Sequence, residues 1–479
     1  MEAIINFFDY FSNLGSNVMI PIVITLICLI VGLKPMKALR SGMTVGIGLI
    51  TLNLVLDLIW KNIDPINAII IEKFGSANLT TIDIGWSGAA TLAFSTFIGS
   101  FIIPFTILLN VILLSTKLTK TMNIDIWNYW HYAFTGSCVY LATGNMVLGF
   151  VGAGTHLVLS LQVADVAAKR IQRTMQTPGI TITPGEVTAS LPIVLVMEKI
   201  YSKLFGKKDA EESLDYNEDV VEDNKFIKLL QTLVQPMFLG GIIGLIFGFG
   251  AGYTIGESLN VAIELAALMF LLPRAAKILM EGFLPMGEQT RKFMQKRFGK
   301  DTEINVGLDS AILLGLPTTI SVGLCLIPVA LLLAVILPNN TTLPFGDLSS
   351  ICYMVTLATV YHERNGKPKF FRTFVTGVVL LCFILPISSM FAPYITEIAQ
   401  DSAMVIPENA VMVTCLEGQL FNGTIFKALT VPSVPFIGIA LCVIISVASI
   451  IIGKWLQKKE VIYLEEEEKM ISAKEVVEN

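Results

Sequence analysis

The sequence predicts an all-α polytopic membrane protein, and three observations carry that expectation. Hydrophobic residues make up 54% of the 479 residues and charged residues only 15%. The mean hydropathy is +0.71. Apolar runs long enough to span a bilayer recur along the chain, each needing about 20 residues. A soluble domain carries roughly 25% charged residues, so this chain lacks the polar groups to cover a water-facing surface. That argues against a soluble enzyme or a disordered chain. A net charge of −5 offers no basic surplus for nucleic acid.

The N-terminus, MEAIINFFDYFSNLGSN, has no basic leader and reads as a short amphipathic interfacial helix rather than a cleaved signal. Spans follow near 17–33, 43–60, 97–116, 132–162, 229–250, 257–280, 311–337, 348–361, 373–393 and 433–453. About 10–11 transmembrane helices are therefore expected. Gly, Pro, Thr and carboxylates break the stretches 83–96, 178–200 and 405–436. Such backbone is tolerated at membrane depth only under protein or beside water. The first two read as re-entrant hairpins or discontinuous helices; the third has no clear reading. Basic clusters mark the expected cytoplasmic face: Lys34 to Arg40, Lys117 and Lys120, Lys169 to Arg173, Arg291 to Arg297, Arg364 to Arg372, and Lys454 to Lys459.

The charged stretch 206–228 reads as a linker between a first half, 1–205, and a second, 229–453, with a cytoplasmic tail at 454–479. The halves carry a repeat: IPFTILLNVILL at 103–114 aligns with IPVALLLAVILP at 327–338. Asp83 falls near Asp309 in that register, and Asp125 near Asp347. Duplicated halves are the common architecture of transporters, with solute held where discontinuous helices meet; a channel built from repeats is the other possibility.

An Asp at the centre of a spanning helix costs about +2.5–3.5 kcal/mol by insertion scales, so intramembrane polar residues are the candidate site. Asp83 and Trp86 lie in TTIDIGWSGA, where the carboxylate is a ligand or a helix cap. In NIDIWNYWHYAFTGS, His131 and Thr135 share a helix face. Trp127, Tyr129 and Trp130 fit an interfacial aromatic belt as well as a binding wall. Gly185 and Glu186 follow a turn in TITPGEVTASLP, where the carboxylate faces either solute or a helix N-terminus. Asp309 in VGLDSAILLG is a helix cap or a ligand. Asp347 and Asp57 are weaker candidates, and Arg274 and Glu281 read as end-of-helix charges. Thr143, Gly144 and Asn145 read as a kink or a lining.

No nucleotide loop, zinc motif or nucleophile elbow is present. The seven cysteines are scattered singly, with no CxxC pair. No catalytic residue, cofactor or metal is expected, and energy must come from an ion gradient, the solute's own gradient or a partner protein.

The motifs IDIGWSG (82–88), NIDIWNYWHYAFTG (123–136), LATG (141–144), LLPRAAKILMEGFLPM (271–286), VGLDSAILLG (306–315) and LPFGDL (343–348) resemble the membrane component, enzyme IIC, of the galactitol-type phosphotransferase systems. The resemblance implies a homodimer in the bacterial inner membrane. Each protomer would have a core domain and a V-motif scaffold domain built from inverted repeats. It implies uptake of galactitol or a related polyol, bound in the core between re-entrant hairpins. A soluble IIB protein, charged through IIA from phosphoenolpyruvate, would phosphorylate the solute on the cytoplasmic side. Both soluble ends are too short for a IIA or IIB domain, so separate polypeptides are expected, and no phosphoryl-carrying residue in this chain. The family's solute-contacting regions fall on Trp86, on His131 with Thr135, on the turn at Gly185, and on Asp309. One departure concerns the solute: where the family is expected to place a histidine before the turn glycine, this chain has Pro184, with Glu186 after it. An ion-coupled secondary transporter, with Asp83, His131 and Asp309 as ion sites, is the alternative; a membrane-embedded enzyme using Glu186 or Asp309 is a remote third.

Overall fold

A computed structural model describes residues 16–30, 32–48, 50–51, 54, 81–83, 85–212, 236–298, 304–344, 347–364, 367–401, 411–414, 416–432 and 434–478. Asp57, the N-terminal segment, half of the predicted 43–60 span and all but the start of the linker lie outside these residues. The protein is mostly helical. In chain order α1 is Ser16–Ile30, α2 Gly85–Ser95, α3 Phe97–Ser115, α4 Trp130–Thr143, α5 Met146–Met175, α6 Gly185–Thr188 and α7 Leu191–Glu212. After the linker come α8 Pro236–Ala251, α9 Ile255–Phe298, α10 Pro317–Ile336, α11 Ile351–Met354, α12 Thr356–Tyr361, α13 Phe370–Asp401, α14 Leu420–Thr430 and α15 Pro435–Glu478.

Among the described residues five helices are long and apolar enough to cross a membrane: α3, α5, α10, most of α13 and Pro435–Glu466 of α15. About 10–11 spans are expected from the sequence, and one of the shorter apolar pieces folds differently. The 348–361 stretch breaks into a 3-10 turn and the two short helices α11 and α12. The Thr143–Asn145 interruption is a corner between helices. Gly144 closes α4 in the left-handed region (φ 64°), and the Asn145 side chain caps α5 by accepting from the Val147 and Leu148 amides. At 1.5 Å per residue, α5 is then about 45 Å long, enough to run from face to face.

One end of the bundle brings together the basic clusters around Arg170, Arg372 and Lys459. There Arg170 of α5 donates to the Tyr361 carbonyl at 3.0 Å and pairs with Glu460 of α15. His362 Nδ1 meets Glu198 of α7 at 2.7 Å, and its Nε2 meets Thr376 of α13 at 2.9 Å. The α4–α5 corner and the α14–α15 connection lie at the other end, where Gly152 of α5 packs against Leu429 and Ile425 of α14.

Among the described residues are eight short strands, not foreseen in an all-helical chain; β6 (Glu363–Arg364) and β7 (Lys367–Pro368) form a two-stranded pair. The other six form two three-stranded parallel sheets. In one, β1 (Thr81–Asp83) lies between β5 (Thr342–Leu343) and β8 (Val411–Val413). In the other, β4 (Asn305–Leu308) lies between β2 (Thr121–Asn123) and β3 (Ile180–Ile182). Each central strand thus comes from one side of the linker and both its neighbours from the other. Pairing satisfies backbone groups that a broken helix leaves exposed in an apolar interior. Each strand leads into a loop or short helix that carries polar side chains inward.

Candidate functional site

His131 sits at the start of α4, 1% exposed. Two buried carboxylates hold its ring. Glu186 Oε2 approaches Nε2 at 2.5 Å, close enough for an ion pair but off the line of a hydrogen bond. Glu417 Oε1 contacts Nδ1 from the opposite edge. The second oxygen of Glu417 accepts from the Asn422 amide. A buried carboxylate is costly unless paired, and one imidazole here serves two.

The local chain explains the placement. Strand β3 delivers Thr183, Pro184 and Gly185, and α6 starts at Gly185 with Glu186 in its first turn. No side chain fits at Gly185: a Cβ there would lie 2.7 Å from His156 Nε2 and 2.9 Å from His131 Cβ. Strand β8 delivers Thr414 and then Glu417 in the same way. Thr135, one turn after His131, hydrogen-bonds His156 Nδ1 of α5 at 2.8 Å. Tyr132 stacks edge-on against His156 and donates to the Thr183 carbonyl at 3.0 Å.

Asp309 joins through neighbours. It caps the turn after β4, accepting from Ala311 N at 2.7 Å, and its other oxygen accepts from Asn128 Nδ2 at 2.9 Å. The same Asn128 nitrogen donates to Asp125 at 2.8 Å. Ser310, next to Asp309, donates to Glu186 at 3.5 Å. The cap and ligand readings of Asp309 are therefore compatible, because one oxygen serves each.

The described contacts of Asp83 and Trp86 run elsewhere. Asp83 accepts from Gly85 N and from Asp347 N at 3.0 and 3.1 Å, and Asp347 accepts from Trp86 N at 2.9 Å. The remaining oxygen of Asp347 accepts from Thr414 Oγ1 and Leu416 N at 2.8 and 2.9 Å. Asp83 and Trp86 thus hold the strand turn that presents Glu417, one residue past Leu416. Asp347, the weaker candidate from sequence, is the hub of that turn.

Sequence reasoning missed Glu417, Asn422, His156, Asn128 and Asp125. Glu417 had a signal. Thr183-Pro-Gly-Glu186 and Thr414-Cys-Leu-Glu417 each place a Thr three residues before a Glu, directly after a strand, in the two parts of the chain. Buried polar atoms at or around the imidazole that lack a hydrogen-bond partner include Glu186 Oε2, Trp130 Nε1, Asp125 Oδ1, His156 Nε2 and Asn422 Oδ1. Buried polar atoms are normally satisfied, so these are places where a hydroxyl-bearing ligand would gain bonds. Among the described residues no cluster of ligating side chains has the make-up of a metal site.

A membrane-helical frame around a buried, carboxylate-rich polar centre fits a carrier of small polar solutes. Residues 10–409 match the model of the sugar-specific permease component of the phosphotransferase system, and the chain belongs to that family. It is 39% identical over 454 residues to a candidate permease IIC component of Escherichia coli (strain K12), covering 95% of this chain and 99% of that one. It is 34% identical over 393 residues to the galactitol-specific EIIC component of the phosphotransferase system from the same strain, 82% and 84% of the two chains, and equally to its counterpart in Escherichia coli O157:H7. As a member of this family it has a sugar as its class of substrate and IIB and IIA proteins as its implied partners.

Proposed function

We propose that this chain carries galactitol or a related polyol across the bacterial inner membrane and hands it to a phosphorylated IIB protein. One observation carries the solute assignment: a single imidazole gripped by Glu186 and Glu417, with orphaned acceptors and donors on Asp125, His156 and Asn422 around it. A polyol offers several hydroxyls, each both donor and acceptor, which fits a centre rich in carboxylate acceptors. The similarity to galactitol-specific EIIC components favours galactitol. Substrate-binding roles are assigned to His131, Thr135, Gly185, Glu186 and Asp309 directly, and to Asp83 and Trp86 through the Asp347 turn. No cofactor of its own is assigned; the phosphate would come from IIB.

In this reading the two parts of the chain, 1–205 and 229–453, are inverted repeats. The alternating origin of the strands in the two sheets and the paired Thr-x-x-Glu turns support that. The strand-led turns at Glu186 and Glu417 would be the tips of re-entrant hairpins in a core domain that moves against a V-motif scaffold. The end carrying Lys169, Arg170, Arg173 and Lys454 would face the cytoplasm, in line with the positive-inside rule, and receive IIB. The apolar, outward-facing side of α15, with Ile444, Ile451 and Ile452 exposed, would meet lipid or the second protomer of a homodimer.

The test is uptake of labelled galactitol in cells lacking their own galactitol system. Uptake should need both IIB and phosphoenolpyruvate, with the label inside as a phosphate ester. Accumulation of free galactitol without either would overturn the reading. The four carboxylates Asp125, Glu186, Asp309 and Glu417 around one imidazole favour an ion-coupled carrier as the second reading, which predicts loss of uptake on adding an ionophore.

A further inference from the structure

A cavity of about 530 Å³ lies between α13 and α14, away from the His131 centre but joined to it through the chain. Half its lining residues are polar: Asn339, Thr341, Ser389, Thr424 and Lys427. Helix lengths place it at the end opposite the basic cluster. Helix α13 starts beside His362 at the basic end, and Ser389 lies 19 residues further on, about 28 Å at the helical rise. Helix α15 reaches Glu460 beside Arg170, so its start at Pro435 is about 37 Å away. Lys427 lies on α14, which packs beside that start, where a Cβ at Gly438 would touch the Ala428 carbonyl at 3.1 Å.

One side of the cavity wall is polar, facing an apolar side of Pro386, Ile387, Met390 and Leu420. Ser389 accepts from Thr341 N at 3.0 Å and donates to Asn340 at 3.0 Å, fixing the 339–342 loop as a polar floor. Pro393 has no amide hydrogen, which removes the helical donor to the Ser389 carbonyl. Thr424 and Lys427 are exposed on one face of α14, and among the described residues neither side chain has a hydrogen bond or ion pair. The volume falls in the range of ligand sites, roughly 300–1,000 Å³.

The inner wall is the segment that carries the clamp. Leu420 and Gly423 line the cavity, while on the same short stretch Glu417 grips His131 and Asn422 donates to Glu417. Gly418 packs so tightly on the Ile384 carbonyl of α13 that no Cβ fits there. One thin layer of chain, residues 417–423, therefore separates the cavity from the imidazole.

We infer that this cavity is an outer entry site, where a hydroxylated solute is first held by Asn339, Thr424 and Lys427 before the 417–423 segment admits it to His131. This rests on the polyol reading above. It assigns Lys427, a cation at the end away from Arg170, a role in drawing solute hydroxyls out of water.

The experiment uses the full chain in intact cells, with Thr424→Cys labelled by a membrane-impermeant maleimide. The cysteine should react from outside, and galactitol should slow the reaction. Leu332→Cys, exposed on α10 where lipid is expected, should stay unlabelled. Thr424→Trp should raise the KM for galactitol uptake about tenfold, the scale of losing a pair of polar contacts, and Thr424→Ser should keep it near the starting value. Labelling only after permeabilisation, or labelling that galactitol leaves unchanged in cells that do take it up, overturns the entry site alone. Absence of donor-dependent galactitol uptake by the unsubstituted protein overturns the polyol reading, and with it the solute named here.

Discussion

His131 shows how one side chain settles several others. Its ring nitrogens are the described partners of Glu186 and Glu417, two carboxylates that are 5% and 1% exposed. His131→Ala is expected to weaken galactitol binding by about 1–3 kcal/mol, the scale for leaving buried polar groups unsatisfied, as measured by calorimetry on purified protein. A loss of folded protein with unchanged affinity in what remains would assign His131 to structure. Asp309→Asn is a finer probe. An Asn can still accept from Ala311 N and keep the cap, so the fold should survive while the charge facing Asn128 is lost. The expected result is abolished galactitol binding with an unchanged unfolding temperature; unchanged affinity would remove Asp309 from the site. His131, Thr135, Glu186 and Asp309 were legible in the sequence because an ionisable or polar group in an apolar run is costly and stands out. Glu417 and Asn422 were not, because they lie in a stretch already broken by Pro, Glu and Gly, where one more polar residue carries little contrast.

At the scale of elements, the site depends on strands that no helix-based pattern predicts. Strand β2 positions Asn123, Asp125 and Asn128, and a carboxylate on α5 pins it. Asp165 accepts from Thr119 Oγ1 at 2.8 Å, Thr121 Oγ1 at 2.7 Å and Lys120 N at 3.0 Å. Thr181 Oγ1 of β3 donates to the Ala164 carbonyl at 2.7 Å, so α5 anchors both flanking strands of one sheet. Asp165→Ala is expected to cost about 1–3 kcal/mol for the donors left unpaired, read as a lower thermal midpoint in detergent. It should weaken galactitol binding as well, since β2 leads into the Asp125–Asn128–Asp309 chain of contacts. A fall in stability with unaltered affinity would confine Asp165 to a scaffold role. Strands of two to four residues carry too few positions for period-two alternation to register in a sequence, which is why both sheets escaped notice while the long spans did not.

The whole molecule ties energy coupling to partners. A family member of this kind draws on a phosphate donor, so a proton or sodium ionophore should leave galactitol uptake largely intact while phosphoenolpyruvate is supplied. Collapse of uptake under those conditions would transfer the Asp125, Glu186, Asp309 and Glu417 cluster to ion coupling. By itself the amino-acid sequence determined the membrane class, the long spans, the family and part of the polar centre, His131, Thr135, Glu186 and Asp309. Those properties follow from hydropathy and from side-chain identity, which are local and additive along the chain. Only the tertiary structure decided that Asp83 and Trp86 brace Asp347, that Asp347 presents Glu417, and that Glu417 and Glu186 close on one imidazole from two distant segments. Those contacts join residues up to 286 positions apart, and pairing over such separations depends on how strands from the two parts of the chain interleave, which no local pattern encodes.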